Sequence, residues 1–284
     1  MPQPVRPYRS VLYIPGSRER ALEKARTLAA DAIIFDLEDA VAPDEKVAAR
    51  SILAQALQND YGARVRIVRV NALETEWGRQ DVQAFADHPG VDALLIPKVN
   101  SAADLDAVAR LAPAKPLWAM METALGMLNA GQIAAHPALQ GMVMGTNDLA
   151  KELGSRFRPD RLPLQAGLGL CLLAARACGR VIVDGVYNAF KDDEGLRAEC
   201  EQGRDMGFDG KTLIHPLQLD IANAAFAPSM AEVELARRQI EAYDAALAQG
   251  QAVAVVDGKI VENLHVVTAK AVLAKAEAIA ALID

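Results

Sequence analysis

Eight short apolar runs, each followed by a stretch of helical periodicity, occupy the first four-fifths of the chain, and they constrain the fold more than any other feature. They fall at residues 11–15, 32–36, 65–71, 91–97, 117–121, 141–144, 180–184 and 208–214. Runs this short and this continuously apolar fit parallel strands covered on both faces. Strands alternating with helices eight times give the count of a (β/α)₈ TIM barrel. A doubly wound open sheet is the alternative, but no glycine-rich dinucleotide turn follows the first run. Asp36, Glu38, Arg69, Lys98, Glu122, Asp148, Asp184 and His215 stand at or just beyond the C-terminal ends of successive runs. That is the face on which such barrels place their chemistry.

The pattern changes after Pro228-Ser229. A long amphipathic helix is expected from Met230 to about Ala248, then a hairpin over 252–261 turning at Asp257-Gly258, then an alanine-rich helix to Ile283. The expected organisation is a barrel over 1–228 and a C-terminal lid extension over 229–284. Although 52% of the residues are apolar, no run reaches the 18 or so needed to span a bilayer, and residues 1–10 lack the apolar segment of a secretion signal. Cys171, Cys178 and Cys200 show no CxxC spacing, which suits reduced core residues in a cytoplasmic protein. A net charge of −7 argues against nucleic acid and anionic membranes as partners. The basic residues Arg18, Arg20, Lys24 and Arg26 still form a local patch suited to a phosphorylated ligand.

Glu122 and Asp148 each end an apolar run that contains no other acid, and they are the candidate metal ligands. Oxygen donors without a neighbouring Cys or His favour a hard cation, and few carboxylates with room for water and substrate suit Mg²⁺, with Mn²⁺ as its substitute. The bland reading makes Glu122 an ordinary strand-end acid and Asp148 the N-cap of a helix opening at Leu149. Arg69 can stabilise an enolate oxygen, with Asp36 and Glu38 orienting it or metal-bound water; their bland reading is a salt bridge. Together these are the parts of a metal-dependent aldol or retro-aldol site. Lys98 offers a competing Schiff-base mechanism, provided its pKa is lowered, and otherwise reads as a salt-bridge lysine. His88, His136 and His265 read as structural, whereas His215, at a strand end, is a functional candidate.

With these residues placed, the chain resembles the citrate lyase β-subunit and malyl-CoA lyase family of the HpcH/HpaI aldolase superfamily. The resemblance rests on RSVLYIPGSR at 9–18, FDLEDAVAP at 35–43, VRVNAL at 68–73, IPK at 96–98, Glu122-Thr123, GTND at 145–148 and GFDGKTLIHP at 207–216. It implies a Mg²⁺-dependent barrel that cleaves or forms a carbon–carbon bond between an acyl-CoA enolate and a 2-oxo acid. By the same match Glu122 and Asp148 bind Mg²⁺, Arg69 contacts substrate, and Tyr13, Arg18, Lys24, Ile214 and His215 line a coenzyme A channel. It also implies a homotrimer or homohexamer in which each lid supplies an acid/base carboxylate to a neighbouring subunit. Family lids carry Gly-x-x-x-Asp, whereas this chain has Gly258-Lys-Ile-Val-Glu262. Glu262 keeps the carboxylate and adds about 1.5 Å of reach, which bears on proton transfer because that depends on hydrogen-bond distance. The expectation is a stand-alone lyase acting on a 3-hydroxyacyl-CoA such as malyl-CoA or citramalyl-CoA. The alternatives are the citryl-cleaving subunit of a multi-subunit lyase and a non-catalytic CoA- and metal-binding member.

Overall fold

A computed structural model describes residues 6–282. Chain contacts divide the described residues into two compact units, Tyr8–Phe226 and the segment 227–282 together with Arg6 and Pro7.

In the larger unit the strands are β1 (Ser10–Pro15), β2 (Ala32–Asp36), β3 (Val65–Arg69), β4 (Ala93–Ile96), β5 (Leu117–Met121), β6 (Leu139–Met144), β7 (Val181–Asp184) and β8 (Gly210–Leu213). They close into a barrel in sequence order, every pair parallel, with β8 returning to β1. The (β/α)₈ expectation is met. The helices that matter for the site are α1 (Glu19–Ala25), α2 (Lys46–Ala56), α3 (Gly78–Phe85), α4 (Ala102–Ala109), α5 (Ala124–Leu128), α6 (Ala130–Ala134), α7 (Thr146–Glu152), α8 (Gln165–Ala177), α9 (Asp193–Met206) and α10 (Leu219–Phe226). The SAAD motif predicted as a helix start is a capping box, with Asp104 accepting from the Ser101 amide at 2.8 Å.

Successive residues of a strand face opposite sides, so each strand contributes to two cores. Leu12, Ile33, Phe35, Val68, Leu94, Met142, Ile182 and Leu213 pack toward the helices in the larger core. Val11, Ile34, Ile67, Leu95, Trp118, Met120, Val143 and Val183 form a separate cluster that fills the barrel interior. Trp118 is its largest member and fully buried, with its indole N–H donating to Gln140 at 2.8 Å. Its partner on β6 is Gly141, after a register shift between Leu117 and Trp118. A Cβ on Gly141 would lie 2.7 Å from three indole carbons. Glycine there makes room for the ring.

The smaller unit contains α11 (Met230–Ala248), β9 (Ala254–Val256), β10 (Lys259–Val261) and α12 (Asn263–Ala280). Helix α11 starts where the sequence places it, with Ser229 and Glu232 forming a capping box. The hairpin turns on Asp257 and Gly258, both at positive φ as a two-residue type I′ turn needs. Its first strand starts at Ala254, two residues later than predicted. Ala246, Ala254, Val256, Val261 and Val266 make this unit's own core. Among the described residues no helix is long and apolar enough to cross a membrane.

Candidate active site

The residues that point into the barrel continue upward, two positions further on, as the floor of a cavity. Tyr13 follows Val11, Asp36 follows Ile34, Arg69 follows Ile67, and Glu122 follows Met120. All four line a cavity of ≈ 340 Å³ together with Asp39, Met120, Gly145, Asn147, Asp148 and Ile214, among others. Period-two geometry thus carries the interior face of the sheet onto the catalytic rim.

Arg69 is the most constrained of them. It sits beside Asp36 in the β2–β3 register and donates to both carboxylate oxygens, Nε–Oδ1 at 2.8 Å and Nη2–Oδ2 at 2.6 Å. Its Nη1 lies 2.9 Å from Glu38 and 3.3 Å from Asp39, and its guanidinium stacks 5.1 Å from the Tyr13 ring centroid. Burial works against the charge, but Asp36, Tyr13 and Glu38 hold Arg69 well above its ordinary range. It is a fixed cation whose geometry is set before any ligand arrives. The 37–40 turn is fixed as well: Asp36 accepts from the Glu38 and Ala40 amides at 2.9 and 3.0 Å, and the buried Lys46 ammonium donates to the Leu37 and Glu38 carbonyls at 2.9 and 2.7 Å.

Glu122 is 3% exposed, just beyond β5. Burial, and next the charge of Glu38, push its carboxyl up to about 7, against the backbone amide of Lys98 and the charge of Arg69. Asp148 is not an N-cap, correcting the bland expectation: α7 opens at Thr146 and places Asp148 in its first turn, where a carboxylate complements the helix dipole. Its side chain is 40% exposed and lies 3.8 Å from Lys98 Nζ. Among the described residues no group of three or more His, Cys, Asp or Glu is arranged to hold a metal. A desolvated carboxylate and a half-buried one on one cavity wall fit a hard divalent cation that keeps most of its coordination for water and substrate. Gly145 keeps Glu122 in place, because a Cβ there would lie 2.3 Å from Glu122 Cβ and 2.7 Å from its Oε2. Gly145→Ala is therefore expected to weaken Mg²⁺ binding by about 10- to 100-fold, the range for disturbing a ligand's support. Calorimetric Mg²⁺ titration checks it, and an unchanged affinity would show that Glu122 does not need this packing.

Lys98 donates to Glu38 at 2.7 Å, and although burial opposes its charge, that hydrogen bond and Glu38's charge raise its pKa. A Schiff-base lysine needs the opposite shift. Of the coenzyme A candidates, Tyr13 and Ile214 line the cavity, Arg18 and Lys24 are exposed around α1, and His215 is half-buried beside Ile214. His215 accepts from the Leu217 amide through Nδ1 at 3.2 Å and stacks on Phe190 at 4.6 Å. Glu262, in the smaller unit, is exposed at the start of α12, its amide donating to His265 Nδ1 at 3.0 Å. His88 and His136 each take a backbone amide on Nδ1 in loops, as structural histidines. Asp184 does not join the site: it is fully buried on the helix-facing side of β7, bound by Arg161 at 2.7 Å and Lys211 at 3.3 Å. Asp39, Lys46 and Asn147 were missed, since each lies in a loop or first helical turn where an acid, lysine or asparagine has an ordinary explanation.

A family profile described as HpcH/HpaI aldolase/citrate lyase matches residues 9–216. The (3S)-malyl-CoA thioesterase of Cereibacter sphaeroides is 76% identical over 276 residues, covering 97% of this chain and 96% of that protein. The L-malyl-CoA/beta-methylmalyl-CoA lyase of the same species is 36% identical over 309 residues, covering 98% and 97%. Among solved structures, CitE of Mycobacterium tuberculosis in complex with magnesium, acetoacetate and coenzyme A matches with a TM-score of 0.81 at 31% identity, covering 94% of this chain and 97% of that one.

Proposed function

This chain belongs to the HpcH/HpaI aldolase/citrate lyase family, and on that footing we propose that it is a Mg²⁺-dependent thioesterase that hydrolyses (3S)-malyl-CoA to malate and coenzyme A. The observation that carries this reading is the 76% identity, over nearly the whole of both chains, to a relative of that name. The carbon–carbon lyase expected from sequence becomes the second reading. It is favoured by the 36% identical lyase and by a cavity whose fixed arginine suits an enolate as well as a tetrahedral oxyanion.

Glu122 and Asp148 would hold the Mg²⁺, which when bound would supply Lewis-acid chemistry to the malyl group. Arg69 receives the negative charge that develops on the thioester oxygen, and Asp36 keeps its guanidinium from turning away. Tyr13, Arg18, Lys24, Ile214 and His215 bind the coenzyme A portion, the two cations being suited to its phosphates. Glu262, placed by the lid over a neighbouring subunit's site, takes a proton from the attacking water. The water oxygen bonds to the acyl carbon, the C–S bond breaks, and the proton passes to the thiolate sulfur. In the lyase reading the same carboxylate takes the malyl hydroxyl proton, the carbon–carbon bond breaks to release glyoxylate, and the proton passes to the enolate carbon to give acetyl-CoA.

Product analysis separates these readings. Purified protein, Mg²⁺ and (3S)-malyl-CoA are incubated with and without a chelator, while free thiol and glyoxylate are followed in parallel. Thiol release equal to substrate loss, without glyoxylate and abolished by the chelator, is the expected result. Glyoxylate formed with acetyl-CoA and no thiol would replace hydrolysis with carbon–carbon cleavage. Neither product, with Mg²⁺ and coenzyme A still bound, would leave a binding protein.

A further inference from the structure

Three features meet at Lys98. It is one of three non-glycine residues among those described with positive φ, at 52°, a conformation that a side chain with a Cβ disfavours. This backbone aims its amide at Glu122 Oε1, 2.7 Å away. Its ammonium, at the end of a side chain 46% exposed, lies 2.7 Å from Glu38 Oε1 and 3.8 Å from Asp148 Oδ2. Glu38's other oxygen is 2.9 Å from Arg69 Nη1. One residue therefore touches both candidate metal ligands and the carboxylate between them and Arg69. Strained backbone at such a junction persists when the surroundings require it, and it is a reason to look for function there.

We propose that Lys98 is the positioning residue of this site, its main chain fixing Glu122 and its ammonium withholding Glu38 from the cation. The two tasks reside in separable atoms. The amide takes up Glu122 Oε1, so the oxygen beside Gly145 is the one presented to the cavity. The ammonium donates to Glu38 Oε1, whereas Oε2 lies 2.9 Å from Arg69 Nη1 without accepting a hydrogen bond, so Lys98 is the group that would keep this third carboxylate from the cation. Positions that Glu38 would take stay open to the carboxylate and hydroxyl of the substrate. Five acids, Asp36, Glu38, Asp39, Glu122 and Asp148, surround this point against three cations, Arg69, Lys98 and the buried Lys46, whose ammonium is bound to the Leu37 and Glu38 carbonyls. Without Lys98, Glu38 would keep its ion pair with Arg69 but no side-chain hydrogen bond.

This inference rests on Glu122 and Asp148 forming the Mg²⁺ site, and the test separates the two. Mg²⁺ binding is measured by calorimetry on the full chain, independently of turnover. Failure of the unsubstituted protein to bind Mg²⁺ would overturn the metal site itself. Given binding, Lys98→Gly keeps the positive φ and the amide but removes the ammonium. Removing a neighbouring positive charge should leave Mg²⁺ affinity unchanged or up to about 10-fold tighter, with KM for the thioester raised about 10-fold or more, kcat changed less, and Lys98→Arg recovering most of the loss in KM. Lys98→Val disfavours the left-handed backbone, and Mg²⁺ affinity should fall by about 10-fold or more. Lys98→Thr carries the same test if the valine variant does not fold. Wild-type Mg²⁺ affinity in the folded β-branched variants, or equal weakening in the glycine variant, would overturn the main-chain role. An unchanged KM in Lys98→Gly would overturn the role of the ammonium.

Discussion

Glu122→Gln should leave a folded barrel that has lost its Mg²⁺ and, with it, about three orders of magnitude in kcat/KM for the thioester, equivalent to about 4 kcal/mol of transition-state stabilisation. The substitution is nearly isosteric, so Gly145 and the Lys98 amide still meet an oxygen or nitrogen of the same size. What disappears is a formal charge in a site where water is scarce, Glu122 being 3% exposed. Electrostatic interactions are strongest in such surroundings. Asp148→Asn should reduce Mg²⁺ affinity less, because the Asp148 side chain is 40% exposed and water can replace it in part. Calorimetry for the ion, thiol release for turnover and a melting curve for the fold give three separate readouts. Full activity in Glu122→Gln at chelator-sensitive Mg²⁺ concentrations would move the metal elsewhere.

The largest effect on stability is expected from the opposite side of the sheet. Lys211 is fully buried, with Nζ 3.3 Å from Asp184, 2.6 Å from Glu199 and 2.6 Å from the Gly185 carbonyl. Arg161 completes the group on Asp184 at 2.7 Å. Lys211→Met removes one cation from a buried network and leaves Asp184 and Glu199 each short of a partner, a change that costs about 3–5 kcal/mol. Tm should fall by something on the order of 10 °C, with KM for the thioester unchanged below the transition. The pH dependence has a defined sign. Burial opposes Asp184's charge, yet Lys211 and Arg161 depress its pKa below the ordinary carboxylate value. Its contribution is therefore complete above the unfolded carboxylate pKa, near 4, and is lost as pH falls through the lower folded value. Asp184→Asn should flatten that acid limb. A melting temperature indifferent to both substitutions would mean that the network is neutral to stability.

Asp184 also shows where reading the chain stopped short. It ends an apolar run as Asp36 and Glu122 do, and by that criterion all three belong to the catalytic rim. The discriminating signal is parity. Asp36 and Arg69 share the register of Ile34 and Ile67, which face the barrel interior, whereas Asp184 shares that of Ile182, which faces the helices. The eight runs themselves were legible because parallel strands buried on both faces are mostly apolar, with charge inside them only at Arg66 and Lys211. The Arg69, Glu122 and Asp148 constellation was legible because each charge follows such a run. Lys46 gripping two carbonyls, Gly145 pressed against Glu122 and the left-handed backbone of Lys98 were not, since each depends on what another segment brings alongside. Chain pattern records which face a residue occupies more readily than which residue it meets.

The pairing of Trp118 with Gly141 bears on how sequences of this kind can diverge. The indole fills the barrel from one strand and occupies the volume that a side chain on the next would need. Enlarging position 141 alone forces the indole out of place, and shrinking position 118 alone opens a cavity in the barrel interior. Each single step is harmful while the double exchange conserves volume. The two positions are therefore locked by reciprocal sign epistasis, and a lineage crosses between the two solutions only from a background stable enough to survive the intermediate.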